Sequence, residues 1–71
     1  MTTEEFNKAL ERLALHKQRE IAAFFGISPS KATEYKKGSR PVPRYVAISV
    51  QGHLLLSSDQ VSTLKQLRGA A

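Results

Sequence analysis

Ser30, Thr33, Glu34 and Lys37 stand at positions i, i+3, i+4 and i+7 of one short stretch. That spacing puts side chains on a single face of a helix. Two hydroxyls, a carboxylate and an ammonium make a strip of hydrogen-bond donors and acceptors. Five cations lie in or beside it between residues 28 and 44, namely Lys31, Lys36, Lys37, Arg40 and Arg44, against one acidic residue, Glu34. Over residues 1 to 16 the balance reverses, with Glu4, Glu5 and Glu11 against Lys8 and Arg12. The whole chain carries +5. A basic segment beside a near-neutral scaffold is the footprint of a polyanionic partner. The plainer reading of the same lysines is a solvated helix face.

The residue types needed for bond-making chemistry are not grouped. His16 and His53 are the only histidines, far apart in sequence and without metal-ligand spacing. Both are expected as surface polar residues. The chain has no cysteine, which excludes disulfides and thiolate metal sites. No serine sits in a nucleophile motif and no glycine-rich phosphate cradle occurs. The expectation is a non-enzyme with no catalytic residue, metal, cofactor or small-molecule ligand. Seventy-one residues suffice for one domain. A domain of this size buries only about 60% of its unfolded surface, so self-association is a natural source of further burial. The start, MTTEEFNK, has no apolar core of a secretory leader. No apolar run approaches the ~20 residues that cross a bilayer. A cytoplasmic protein without a membrane partner is expected.

Five short elements must position these side chains. Thr2 and Glu5 have capping-box spacing, and Phe6, Leu10, Leu13 and Ala14 recur helically, predicting a first helix over about Thr3 to Leu15. A second begins near Lys17 or Gln18, turns Ile21, Ala22 and Phe25 inward, and stops at Gly26. Ile27 anchors the turn. Ser28-Pro29 is a strong start for a third helix over about Pro29 to Lys37, halted at Gly38, with Ala32 and Tyr35 inward. Gly38-Ser39-Arg40-Pro41-Val42-Pro43 reads as a loop. Val46, Val50 and Leu54 recur every four residues, so a fourth helix from Arg44 to about Leu55 is preferred. The β-branched run before Gln51-Gly52 also permits a hairpin. Ser58 is expected to cap a fifth helix carrying Val61, Leu64 and Leu67. The fold class expected is all-α, a small bundle of four to five helices in a single domain over residues 1–71.

Gln18 to Lys37 resembles, position by position, the helix-turn-helix of the phage repressor and Cro/C1-type (lambda repressor-like) transcriptional regulators. That pattern has an apolar residue and alanine in its first helix, here Ile21 and Ala22. It has an apolar residue, glycine and an apolar residue at the turn, here Phe25, Gly26 and Ile27. It has a small and a large apolar residue inside the second helix, here Ala32 and Tyr35. GSRPVPRYVAISV is similar to the segment that follows the recognition helix in small phage and mobile-element regulators, including anti-CRISPR-associated repressors.

The resemblance implies double-stranded DNA as partner, with the second helix of the motif in the major groove. Ser30, Thr33, Glu34 and Lys37 then become the candidate base contacts. Gln18, Lys31, Lys36, Arg40 and Arg44 become the candidate phosphate contacts. Two of these retain plainer readings. Glu34 has Lys31 and Lys37 in intrahelical reach, and Gln18 can be an ordinary surface residue. Pro29 stands where the family often has a polar reader; it touches a thymine methyl or only starts the helix. The family binds as symmetric dimers. The candidate interface lies in residues 45–67, with Tyr45, Ile48, Leu55, Leu56, Val61 and Leu64, unless the fifth helix folds back into the monomer core. The alternative function is a protein-interaction module, antitoxin-like or polymerase-binding, that reuses the same fold.

Overall fold

The computed structural model describes residues 1–71. It contains α1 (Thr3–Arg12), α2 (Gln18–Phe25), α3 (Pro29–Lys37), α4 (Arg44–His53) and α5 (Ser58–Leu67), and no strand. The protein is a small all-α bundle, and the segment open to a hairpin reading is helical. No helix is long and apolar enough to cross a membrane.

Local chemistry sets most of the boundaries. The Thr2 side chain accepts from the Glu5 N–H at 3.1 Å, and the Glu5 carboxylate accepts from the Thr2 N–H at 2.8 Å. This reciprocal cap starts α1 as expected. The helix ends at Arg12, three residues before the expected Leu15. Ala14 adopts a left-handed φ of 53°, and the Leu15 N–H returns to the Leu10 carbonyl at 2.9 Å. The early stop reverses the chain and drives Leu15 into the core. A left-handed alanine costs on the order of 1 kcal/mol, which burial of a leucine, worth roughly 1.5–3 kcal/mol, offsets.

At α2 the cap works in one direction. Lys17 has no acceptor in its side chain, and the Glu20 carboxylate accepts from the backbone N–H groups of Lys17 (3.2 Å) and His16 (3.3 Å). Gly26, with φ 66°, closes the helix through its N–H to Ala22. Phe24, not Phe25, is the aromatic residue of α2 that enters the core with Ile21 and Ala22. Phe25 is half-buried and meets the Phe24 ring edge-on at 5.0 Å. The expected Phe25 anchor is therefore one residue late, because α2 ends there and Phe25 lies at the rim. α5 is capped by Ser57 rather than Ser58. Ser57 and Gln60 make a second reciprocal box, at 3.2 and 2.9 Å, which Ser58 does not match.

The core centres on Phe6, Leu10, Leu15, Ile21, Phe24, Tyr35 and Val50. α3 packs against α2 and α1, and α4 closes the other side of those two helices. Val61 of α5 is buried in this core, and Leu56 and Leu64 pack against it half-buried. These three candidates for a dimer face thus belong to the monomer: α5 folds back. Arg68 fastens its end by donating to the Phe24 carbonyl at 2.8 Å while its guanidinium lies over the Phe24 ring. His53 departs from its expected surface position. It is half-buried between Phe24 and Phe25, with Nδ1 2.6 Å from the Ser49 carbonyl and Nε2 2.9 Å from an Arg68 amino group. Because Arg68 only donates, Nε2 is the acceptor and Nδ1 carries the proton.

Gly38 is required twice. Its φ is 79°, and a Cβ there would stand 2.9 Å from the Thr3 side-chain oxygen at the start of α1. Gly38→Ala is expected to destabilise the fold by about 1–3 kcal/mol, read as a lower urea midpoint with unchanged slope.

Acid should weaken the same joints. Backbone hydrogen bonds from Thr2 hold the Glu5 carboxyl below its usual 4.5, and those from Lys17 and then His16 do so for Glu20. Carboxyls depressed in the folded state contribute stability above their ordinary pKa, and that contribution is lost as pH falls through the folded value. The urea midpoint should therefore drop on acidification from about pH 5 downward. Glu20→Gln should blunt that drop.

Candidate nucleic-acid interface

α3 is nine residues long, too short to persist unsupported. Three devices fix it. The Ser28 hydroxyl accepts from the Lys31 N–H at 3.2 Å, Pro29 occupies the first turn, and Gly38 terminates it. Ala32 and Tyr35 are its only fully buried residues, and Tyr35 meets the Phe6 ring edge-on at 5.9 Å. Burial pushes the Tyr35 phenol pKa up, with the neighbouring Tyr45 phenol adding to the shift, so Tyr35 stays neutral.

The opposite side of α3 carries Ser30, Thr33, Glu34 and Lys37 in one strip. Ser30 and Lys37 are exposed; Thr33 and Glu34 are half-buried. The structure thus groups the four expected side chains. It changes the partner of Glu34, whose carboxylate pairs neither with Lys31 nor with Lys37 but with the Arg40 Nε. This pair folds the loop after α3 back along the helix, and the Ser39 N–H bonds the Glu34 carbonyl at 3.1 Å. Through its hydrogen bond the carboxylate also raises the Arg40 pKa, keeping the guanidinium charged. Engaging Nε leaves both terminal amino groups of Arg40 to face a further acceptor.

The cations around the strip separate into two kinds. Lys37, Arg40 and Arg44 are exposed, and Lys31 lines a shallow hollow of about 290 Å³ between the start of α3 and α4, with Tyr45 and Ser49. Lys36 points the other way. Its amine donates to the His16 carbonyl at 3.3 Å, and its own carbonyl accepts from Asn7 at 3.0 Å. It fastens α3 to α1 and the α1–α2 loop, and so leaves the set of outward cations. Gln18 has a comparable structural task, since its amide donates to the Pro29 carbonyl at 2.6 Å and joins the starts of α2 and α3. The expected phosphate role for Gln18 thus competes with a bond inside the chain.

Neither the Arg40–Glu34 pair nor the Gln18–Pro29 bond was legible beforehand. The partners lie six and eleven residues apart. Only the turn geometries bring them together. What the assembled surface can do is clear from its chemistry: a strip of hydroxyl, carboxylate and ammonium groups, bordered by a braced guanidinium, on a helix anchored from behind. No family model, curated protein or solved structure matches the chain.

Gln18→Ala should remove the tie between the starts of α2 and α3. The expected cost is about 1 kcal/mol in chemical denaturation, the net worth of one hydrogen bond. Amides at the start of α3 should exchange faster in the variant.

Proposed function

We propose that the protein binds double-stranded DNA sequence-specifically through the outward strip of α3 and acts as a cytoplasmic transcriptional regulator, a repressor of the phage or mobile-element kind. The observation that carries the reading is the division of α3 itself. Ala32 and Tyr35 anchor it, while Ser30, Thr33, Glu34 and Lys37 face away with Arg40 braced beside them. α2, the tight turn at Gly26 and α3 act in this reading as a helix-turn-helix. Lys37 serves as a donor to guanine, Ser30 and Thr33 as adaptable contacts, and Arg40, Lys31 and Arg44 as phosphate contacts. Glu34 holds Arg40 and repels misplaced phosphate. Two copies on an inverted repeat would double the contacts and occlude a promoter. With no catalytic step in this reading, protein concentration sets occupancy.

A second reading, a protein-interaction module, is favoured by the exposed apolar side chains of α4, Tyr45 and Ile48. Salt separates the two. Attraction to DNA should weaken by orders of magnitude between about 50 and 200 mM salt, whereas an apolar interface should hardly respond.

The test is a mobility shift on randomised duplexes, followed by sequencing of the bound fraction. Arg40→Ala should lower affinity for every sequence and reduce the salt slope by about one. Glu34→Ala should raise affinity for scrambled DNA, because a carboxylate leaves the phosphate field, and narrow the preference for the selected site. Identical behaviour of the two variants on matched and scrambled duplexes would overturn these roles.

A further inference from the structure

A hollow of about 190 Å³ lies where the ends of α1 and α4 meet α5, and no residue of α3 lines it. Its polar lining is Arg12 from α1 with Ser58, Ser62 and Lys65 from α5. The three α5 positions are i, i+4 and i+7, one face of that helix. His53 also lines the hollow, but its ring nitrogens are taken by the Ser49 carbonyl and Arg68, so it serves as wall. The apolar part of the lining includes the buried Leu13 and Val61. No carboxylate lines it. The two ion pairs of the chain, Lys8–Glu4 and Arg40–Glu34, involve neither Arg12 nor Lys65. Lys65 is half-buried and gives one of its three donors to the Ala14 carbonyl at 3.0 Å, across the hollow from α5 to the turn after α1. Two cations on one cavity without a carboxylate repel each other, and an anion between them would relieve that repulsion.

We propose that this hollow binds a small phosphomonoester. The Arg12 guanidinium takes two phosphate oxygens side by side with its planar fork. The two donors that Lys65 retains and the hydroxyls of Ser58 and Ser62 reach the remaining acceptor sites. A carboxylate has two oxygens for this set of donors, and a phosphate monoester has three on its terminal face. The short remainder of the ligand lies against Leu13 and Val61. The volume is below the roughly 300–1,000 Å³ of sites for drug-sized ligands, so the ligand has only a few carbons. Binding also has a structural consequence. Val61 is the one fully buried residue of α5, so this helix has a small apolar footing. An anion shared by Arg12 and Lys65 would clamp α5 to the end of α1. The site shares no residue with the outward strip of α3 and does not rest on the proposed DNA reading.

The test titrates glycerol 3-phosphate into the isotope-labelled full chain at constant ionic strength, so that general screening does not change. Saturable shifts of the Arg12, Ala14, Ser58 and Ser62 amides are expected, with a melting temperature that rises with ligand concentration. Arg12→Gln removes an exposed side chain that has no partner in the chain, and it should weaken binding at least about tenfold. Arg40→Ala, on the other surface, should leave binding unchanged. Shifts that do not saturate by about 50 mM overturn the proposal. So do shifts confined to α3 and the loop after it, an Arg12→Gln protein that binds undiminished, and equal shifts with acetate at the same ionic strength. A chain that binds glycerol 3-phosphate here and shifts no DNA at low salt removes the DNA reading alone. A chain that shifts DNA without this binding removes this site alone.

Discussion

The seating of Tyr35 against Phe6 is the contact on which the outward strip depends. α3 is polar on most of its circumference and has too few turns to persist alone. It is held by two buried side chains, a serine cap and a glycine stop. The edge-on contact between the Tyr35 and Phe6 rings fixes its rotation about its own axis. Once that rotation is fixed, the identities of Ser30, Thr33, Glu34 and Lys37 become a surface and not merely a composition. Gly38 lets α3 end against Thr3 without a Cβ between them, so the start of α1 and the end of α3 meet closely.

Electrostatics around α3 is organised and not merely basic. Lys36 is turned inward to the His16 carbonyl, and Arg40 is turned along the helix by Glu34. A count of cations between residues 28 and 44 treats them as equivalent, yet they do different work. One stitches the scaffold, and another is presented with its planar fork partly engaged. A single acidic residue in a basic segment is then understandable as a brace for an arginine, which a lysine's single ammonium would not replace.

α4 and α5 divide their apolar residues between two uses. Val46, Ala47 and Val50 face the core from α4, and Val61 faces it from α5. What remains outward on α4 beyond Arg44 is a narrow uncharged stripe interrupted by glycine. The end of α5 is secured from another direction, by Arg68 on the Phe24 carbonyl and ring and on His53. That cluster makes His53 part of the packing, although its sequence surroundings are those of an ordinary surface histidine.

Much of the architecture was legible in the residues themselves. Thr2 with Glu5, Ser28-Pro29, Gly26 and Gly38 act through bonds and dihedrals within a few positions, and local chemistry of that kind survives any tertiary context. The i, i+3, i+4, i+7 strip on α3 follows equally from helical geometry. Other features needed the folded chain. α1 stops at Arg12 because burying Leu15 outweighs a left-handed Ala14. Phe24 displaces Phe25 from the core because α2 ends at the rim. The choice of Ser57 over Ser58 is by contrast local, because only Ser57 has Gln60 at the reciprocal position. Val61, Leu56 and Leu64 could equally have faced a partner until α5 was seen to fold back. The pairing of Glu34 with Arg40 rather than with a lysine on its own helix belongs to the same class. The sequence alone determined where most helices begin, where glycine ends them and which polar faces they present, since those are short-range questions. Which apolar residues the core claims, and which charges meet, was decided by tertiary structure, because contacts between segments far apart in the chain compete on packing and distance, and spacing carries neither.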